Sequence, residues 1–279
     1  MLSFKTGVDL FVGAGLIAAL GPERFYRIAQ ERGRIGRLAR RYLEHQLVMF
    51  QNFDIMRASL GRDSITEIVK ERYGDDSLAG YGSAEYARAD NKPLEEQQRG
   101  LILPVLTKAI QRVGGPVMEI GSGNGDILAL LAARYPEVQF KGVDLSVVTA
   151  RAKHENSRAT FIKGYALEML EGGQLKGRVA FWSSTATLFA PRELARYLAA
   201  LKASGFTDIV LSEPVALYVP TNDSKAYSRH IYREMWFHNY AGYLRRAGFK
   251  KIRHFERTTF SYSDNPNVPV VLVHGIVKP

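Results

Sequence analysis

Apolar and polar positions along the chain change rhythm near residue 93. Before it, apolar residues recur mostly at helical spacing. Ile35, Leu38, Tyr42, Leu43, Leu47 and Phe50 predict a helix within Arg34–Leu60. Val8 to Leu20 is apolar apart from Asp9, and Gly21-Pro22 ends that run with Pro22 suited to the first turn of a new helix. Asp63-Ser64 and Gly74-Asp75-Asp76 read as turns, and residues 79–92 as a loop leading into the second part. From about 95 onward, short apolar runs alternate with helical stretches. Strands are expected at 116–120, 138–143, 159–162, 178–182, 208–212, 249–260 and 268–277. Helices are expected at 94–113, 191–204 and 223–247, the last closed by Gly248. Such alternation is the signature of an α/β fold around a largely parallel sheet. The expected division is a helical extension at 1–92 and an α/β domain at 93–279.

The chemistry concentrates where the first of these strands ends. Val117-Met118-Glu119-Ile120 runs into Gly121-Ser122-Gly123-Asn124-Gly125-Asp126, and a helix-forming run, Ile127–Arg134, follows. The glycines are spaced G-x-G-x-G, and Asp126 stands where the dinucleotide fingerprint needs its third glycine. An acid there repels a pyrophosphate at a helix N-terminus, where anions are otherwise favoured. Glu119, just before the turn, suits a ligand with a positive group. The next strand closes on Asp144, about 20 residues beyond the turn, where a carboxylate can accept both ribose hydroxyls of a nucleoside. The pattern therefore points to a nucleoside carrying a cation.

These residues resemble the S-adenosylmethionine site of the class I methyltransferases, over about residues 95–279. The resemblance implies a Rossmann-like α/β fold, a seven-stranded sheet whose last strand is antiparallel. It also implies S-adenosylmethionine as cofactor, with Glu119, Gly121 and Gly123 around its methionine part. Asp144 would grip the ribose and Leu145 would pack on the adenine. The adenine contact would fall at Gly164, Tyr165 and Ala166, where many members carry an Asp in place of Tyr165. A backbone carbonyl or a stacked Tyr165 would then replace that acid. The fourth family position falls at Val179–Thr185 and places Ser183 at the cofactor. It lacks the acid followed by Pro-Pro-Tyr of several amino-methylating members, which argues against methylation of a base amino group. The loop at 79–92 offers Tyr81 and Tyr86 as residues that fold over the cofactor, as such segments do in related enzymes.

Composition narrows the partners. The 279 residues contain no cysteine, which excludes disulfides and thiolate metal sites, and the six histidines show no metal-ligand spacing. The formal net charge is +10, with much of the excess in Arg24, Arg27, Arg32, Arg34, Arg37, Arg40 and Arg41. A solvated helix face is the plainest reading of that run. Nucleic acid is disfavoured because no recognised RNA- or DNA-binding module appears in the sequence. An anionic membrane surface or an acidic substrate is the remaining alternative. Val8–Leu20 is too short to span a bilayer and is read first as a core or homodimer-interface helix, second as a surface-lying anchor. A cytoplasmic location is expected from the cofactor.

Methyl transfer from a sulfonium needs its reactants held in line, and a base only when the nucleophile is a hydroxyl or phenol of high pKa. Ser183, Ser184, Thr185, Glu213 and residues 230–240 are expected at the sheet's carboxyl edge. His238 and Glu213 are the catalytic candidates, His238 because imidazole titrates near neutrality. Trp236, Phe237 and Tyr240 suit a flat or greasy acceptor. The leading expectation is methylation of an oxygen or nitrogen on a small or lipid-like molecule. The alternatives are an RNA or protein methyltransferase, or a cofactor-binding regulatory protein without turnover.

Overall fold

The structure is a computed structural model, and it describes residues 92–215, 228–232, 235–260 and 268–277. The expectations for residues 1–91, Tyr81 and Tyr86 among them, lie outside the described residues. The sheet and the site residues belong to the compact unit of Ser64–Arg229 and Trp236–Pro279, while His230–Met235 belongs to a second unit.

Seven strands form one sheet in the order β3-β2-β1-β4-β5-β9-β8. They are β1 (Val117–Ile120), β2 (Phe140–Asp144), β3 (Thr160–Lys163), β4 (Val179–Ser183), β5 (Asp208–Pro214), β8 (Lys251–Phe260) and β9 (Val268–Ile276). The first five pair parallel among themselves, and β9 runs antiparallel to both β5 and β8. The expected α/β architecture with an antiparallel last strand is therefore present. The order reverses between β1 and β4, which opens a crevice at the carboxyl edge.

Both faces of the sheet are covered, which explains why its strands read as nearly continuous apolar runs. On one face Val117, Phe140, Phe181 and Val210 pack with Ile102 and Leu106 of α1 (Lys92–Val113) and Leu128 and Leu131 of α2 (Asp126–Arg134). On the other, Met118, Ile120, Trp182 and Leu211 pack with α4 (Ala166–Glu171), α5 (Pro191–Ala203) and α6 (Tyr240–Ala247). The short α3 (Val148–Lys153) follows β2. Local chemistry sets the helix ends. Pro191 opens α5, Glu193 reaches back to the Ala190 N–H at 3.2 Å, and Gly205 (φ 89°) turns the chain out. Each fully buried leucine of α5, such as Leu194 or Leu201, contributes roughly 2 kcal/mol.

One expected element differs. Residues 223–247 do not form one helix. Ser228–Tyr232 (β6) and Met235–His238 (β7) pair in a separate two-stranded sheet, and α6 begins only at Tyr240. The Asn239 side chain caps α6 by accepting from the Gly242 N–H at 3.1 Å, and the β-prone run Met235-Trp236-Phe237 precedes it.

A buried charge cluster sits at the amino end of β5. Asp208 accepts from His274 Nε2 at 2.7 Å and from Thr207 Oγ1 at 2.9 Å, and it pairs with Arg112 at the end of α1. Burial pushes the Asp208 carboxyl up, but His274 and Arg112 together hold it below its ordinary value. Asp208→Asn is expected to cost about 3 kcal/mol in urea unfolding at neutral pH, because Arg112 loses its counter-charge and His274 its carboxylate acceptor. A lowered carboxyl pKa stabilises fully above the ordinary carboxylate range, and that contribution is lost as pH falls through the folded value. The wild type and the variant should therefore converge in acid.

Candidate functional site

The site forms where β1, β2, β4 and β5 end. The turn after β1 uses three glycines with positive φ: Gly121 (69°), Gly123 (51°) and Gly125 (77°). Two of them are required by packing. A Cβ on Gly121 would lie 2.4 Å from the Thr185 side chain, and one on Gly125 would lie 2.6 Å from the Phe161 ring. A Cβ on Gly123 would meet nothing within 4 Å. Gly123 thus presents bare backbone to open space, as a ligand cradle requires.

Asp144 closes β2 against this turn. Its Oδ2 accepts from the Gly123 N–H at 2.8 Å and its Oδ1 from the Ser146 N–H at 3.2 Å. Burial raises its pKa, and those backbone donors pull it back. Each carboxylate oxygen has a second lone pair, so Asp144 can still accept from a ligand's hydroxyls. Glu119 is different. It is buried, and its Oε2 has no hydrogen-bond partner. Burial first, and then the charges of Asp144 and Asp126, hold its pKa well above the ordinary value. A buried carboxyl with an orphaned oxygen is costly unless a ligand completes it. A cationic group would do so.

Asp126 plays a more local part than its position in the motif suggests. It pairs with Lys153 at 2.8 Å and His154 at 2.9 Å, which ties the start of α2 to the end of α3.

The adenine-side candidates are brought to the same edge. The Gly164 N–H donates to the Asp144 carbonyl at 2.8 Å, Leu145 is half-buried and Ala166 is buried at the start of α4. The Tyr165 hydroxyl donates to Glu193 of α5, and its ring meets Tyr197 edge-on at 6.0 Å. That hydroxyl is thus engaged within the protein. Sequence reasoning had no means of finding this contact, because the partners are 28 residues apart and on different elements.

At the end of β4, Ser183 Oγ is buried without a partner, as is Ser212 Oγ opposite it in β5. Ser184 adopts φ 56°, and among the described residues it is the one non-glycine in that region. Its Oγ accepts from Gln98 Nε2 of α1 at 2.8 Å, a residue marked by no local motif. Glu213 Oε1 accepts from the Thr185 N–H at 3.1 Å and the Ala186 N–H at 3.0 Å, at the start of a 3-10 turn (Ala186–Leu188). Its Oε2 has no partner, and burial pushes its pKa up to about 8.

His238 lies away from solvent with both ring nitrogens engaged. Its Nε2 donates to the Phe189 carbonyl at 3.0 Å, so its Nδ1 accepts from Ser228 Oγ at 2.7 Å. Ser228 in turn accepts from the Tyr243 hydroxyl at 2.6 Å. Burial pushes the His238 pKa down to about 3. These bonds leave no ring nitrogen to take a substrate proton, and they suit a residue that anchors β7 to the segment after β4.

No family model matches the sequence, and no curated protein does either. Solved structures do share its architecture. Magnesium protoporphyrin IX methyltransferase from Synechocystis PCC 6803, with bound S-adenosylmethionine, superposes with a TM-score of 0.53 at 15% identity. That match covers 77% of this chain and 98% of that one. The 1,6-didemethyltoxoflavin-N1-methyltransferase of Burkholderia thailandensis, with S-adenosylhomocysteine, gives 0.53 at 14% identity over 77% of this chain and 91% of that one. The fold is that of the class I methyltransferases. In that fold the β1 turn and the end of β2 lie at the switch point of the strand order, where open α/β sheets bind ligands.

The glycines give a direct test. Gly125→Ala should destabilise by about 3 kcal/mol, from the Phe161 clash added to the left-handed backbone. Gly123→Ala should cost only about 1 kcal/mol, since backbone strain is its whole penalty. Guanidinium denaturation of the two variants measures the difference, and equal losses would contradict an open cradle at Gly123. His238 makes a second prediction. Its folded pKa lies below the ordinary 6.5, so its neutral form stabilises fully above 6.5 and the contribution is lost as pH falls toward about 3. Unfolding followed across that range should show a flatter acid limb in His238→Gln than in the wild type.

Proposed function

We propose that this protein is an S-adenosylmethionine-dependent methyltransferase acting on an oxygen or nitrogen of a small or lipid-like molecule. The observation that carries the reading is the buried Glu119 with its orphaned oxygen, within electrostatic reach of Asp144 and on the strand that leads into the open Gly123 turn. These groups fit a nucleoside that combines ribose hydroxyls with positive charge. When bound, that nucleoside would supply an activated methyl group on a sulfonium.

The chain's own residues divide the remaining work. Asp144 accepts from the ribose while the Gly123 N–H keeps its carboxylate in place. Glu119 gives the cationic part of the ligand a counter-charge out of water, where such pairing is strongest. Leu145 and the backbone of Gly164–Ala166 border the adenine side. The ends of β4 and β5, with Ser183 and Ser212, face the acceptor. His238 has both nitrogens engaged, and Glu213 is largely protonated near neutral pH. Holding acceptor and methyl in line is then the main source of rate, with no dedicated anionic base from these two residues. The small-molecule acceptors named for the two structural neighbours support that class of acceptor here.

Calorimetric titration with S-adenosylmethionine, S-adenosylhomocysteine and NAD tests the proposal. Both sulfur nucleosides should bind at micromolar Kd and NAD should not. Asp144→Ala should weaken binding by about 2–3 kcal/mol, the worth of hydrogen bonds to a charged group. Absence of binding by either sulfur nucleoside would sink the reading.

A further inference from the structure

Glu213 is fully buried at the end of β5, and its contacts run toward the glycine turn rather than toward solvent. One carboxyl oxygen accepts from two successive backbone N–H groups, those of Thr185 and Ala186. Those residues begin the segment just after β4. Within it, Ser184 is held at φ 56°, a conformation that is strained for a non-glycine residue and persists only where surroundings impose it. Two further bonds hold Ser184: its N–H donates to the Ser212 carbonyl at 2.9 Å, and Gln98 donates to its hydroxyl at 2.8 Å. The Thr185 side chain then backs onto Gly121, where there is no room for even a methyl group, and its Oγ1 lies 3.5 Å from the Gly121 carbonyl.

We infer that Glu213 is a positioning residue: its carboxyl fixes the turn after β4, and through Thr185 it sets the glycine turn that would receive the nucleoside. The inference rests on the proposed cofactor. The path is continuous. It runs from the Glu213 carboxyl to the Thr185 and Ala186 amides, and from the Thr185 side chain to Gly121. It ends at Gly123, whose N–H holds Asp144. Only Oε1 is used, and it acts as a carbonyl-type acceptor. The second oxygen has no partner, and Tyr240 of α6 is a titratable group within electrostatic reach of the Glu213 carboxyl. A protonated carboxyl fits this arrangement, with the carbonyl oxygen at Oε1 and the hydroxyl at Oε2. Burial, which pushes the Glu213 pKa up to about 8, agrees with that form. Glutamine has the same shape and the same acceptor, so it should replace Glu213 without loss.

The experiment compares the full-length wild type with Glu213→Ala, Glu213→Gln and Glu213→Asp. It uses calorimetric titration with S-adenosylhomocysteine, together with amide hydrogen exchange at Thr185 and Ala186. Glu213→Ala should raise Kd about tenfold and lose exchange protection at both amides, while Glu213→Gln stays within about twofold of the wild type on both readouts. Glu213→Asp, whose carboxyl is retracted by one methylene, should follow Glu213→Ala and serves in its place if the alanine variant does not fold. A folded alanine or aspartate variant with wild-type Kd and wild-type protection overturns the inference. So does a glutamine variant as impaired as the alanine one, because that requires an ionised carboxylate. If the wild type itself does not bind the nucleoside, the cofactor reading falls. Exchange at Thr185 and Ala186 then still decides whether Glu213 holds the turn.

Discussion

The hydrogen bond from the Gly123 N–H to the Asp144 carboxylate is the joint on which the rest of this edge depends. It spans 2.8 Å between the turn after β1 and the last residue of β2. The two strands are already in register, with Glu119 opposite Gly142 and Ile120 opposite Val143. The sheet therefore delivers both chain ends to the same place, and the bond fixes what the turn does next. Gly125 is free to close on Phe161 from β3, Gly121 to close on Thr185 from beyond β4, and Gly123 is left facing open space. Strands on both sides thus shape one short turn. A side chain at either flanking glycine would push on a neighbour that has its own role.

The charges at this edge show how a fold keeps groups that harm its stability. Asp144 offsets its burial with backbone donors, and Glu213 does so with the amides of Thr185 and Ala186. Glu119 has an orphaned oxygen and lies near two other acids, so in the ligand-free protein it is a net cost. The cluster at Asp208 makes the contrast. It is equally buried, at the opposite edge of the same sheet, and both its carboxylate oxygens are partnered. Selection for stability alone would treat both acids alike. The difference between them is what the carboxyl edge must do.

The sequence made the frame legible because the frame is built from local signals. Apolar runs of strand length, the glycine turn and the acid closing the next run are each contained in a few adjacent residues. The sheet they imply is the sheet observed. The expected helix at 223–247 differs from the structure, where β6 and β7 precede α6. Met235-Trp236-Phe237 is β-prone, and Asn239 is a helix cap placed well inside the expected helix. What was not legible is the set of contacts between distant elements. Gln98 to Ser184 spans 86 positions and Tyr165 to Glu193 spans 28. Neither pair has a local pattern, since each exists only because strands and helices bring the residues together.

The two catalytic candidates, His238 and Glu213, share a fate set by burial. Taking a titratable group out of water favours its uncharged form, which raises a carboxyl and lowers an imidazole. Glu213 moves up to about 8 and His238 down to about 3, so both are mostly neutral near pH 7. A neutral carboxyl and a neutral imidazole are poor engines for proton transfer but good fixed hydrogen-bond partners, and each is used that way here. Glu213 receives backbone amides, and His238 joins Ser228 to the Phe189 carbonyl. A reaction driven by an activated leaving group makes little demand on a base and a large one on alignment. An edge whose titratable groups have been turned into struts is what such a reaction would favour.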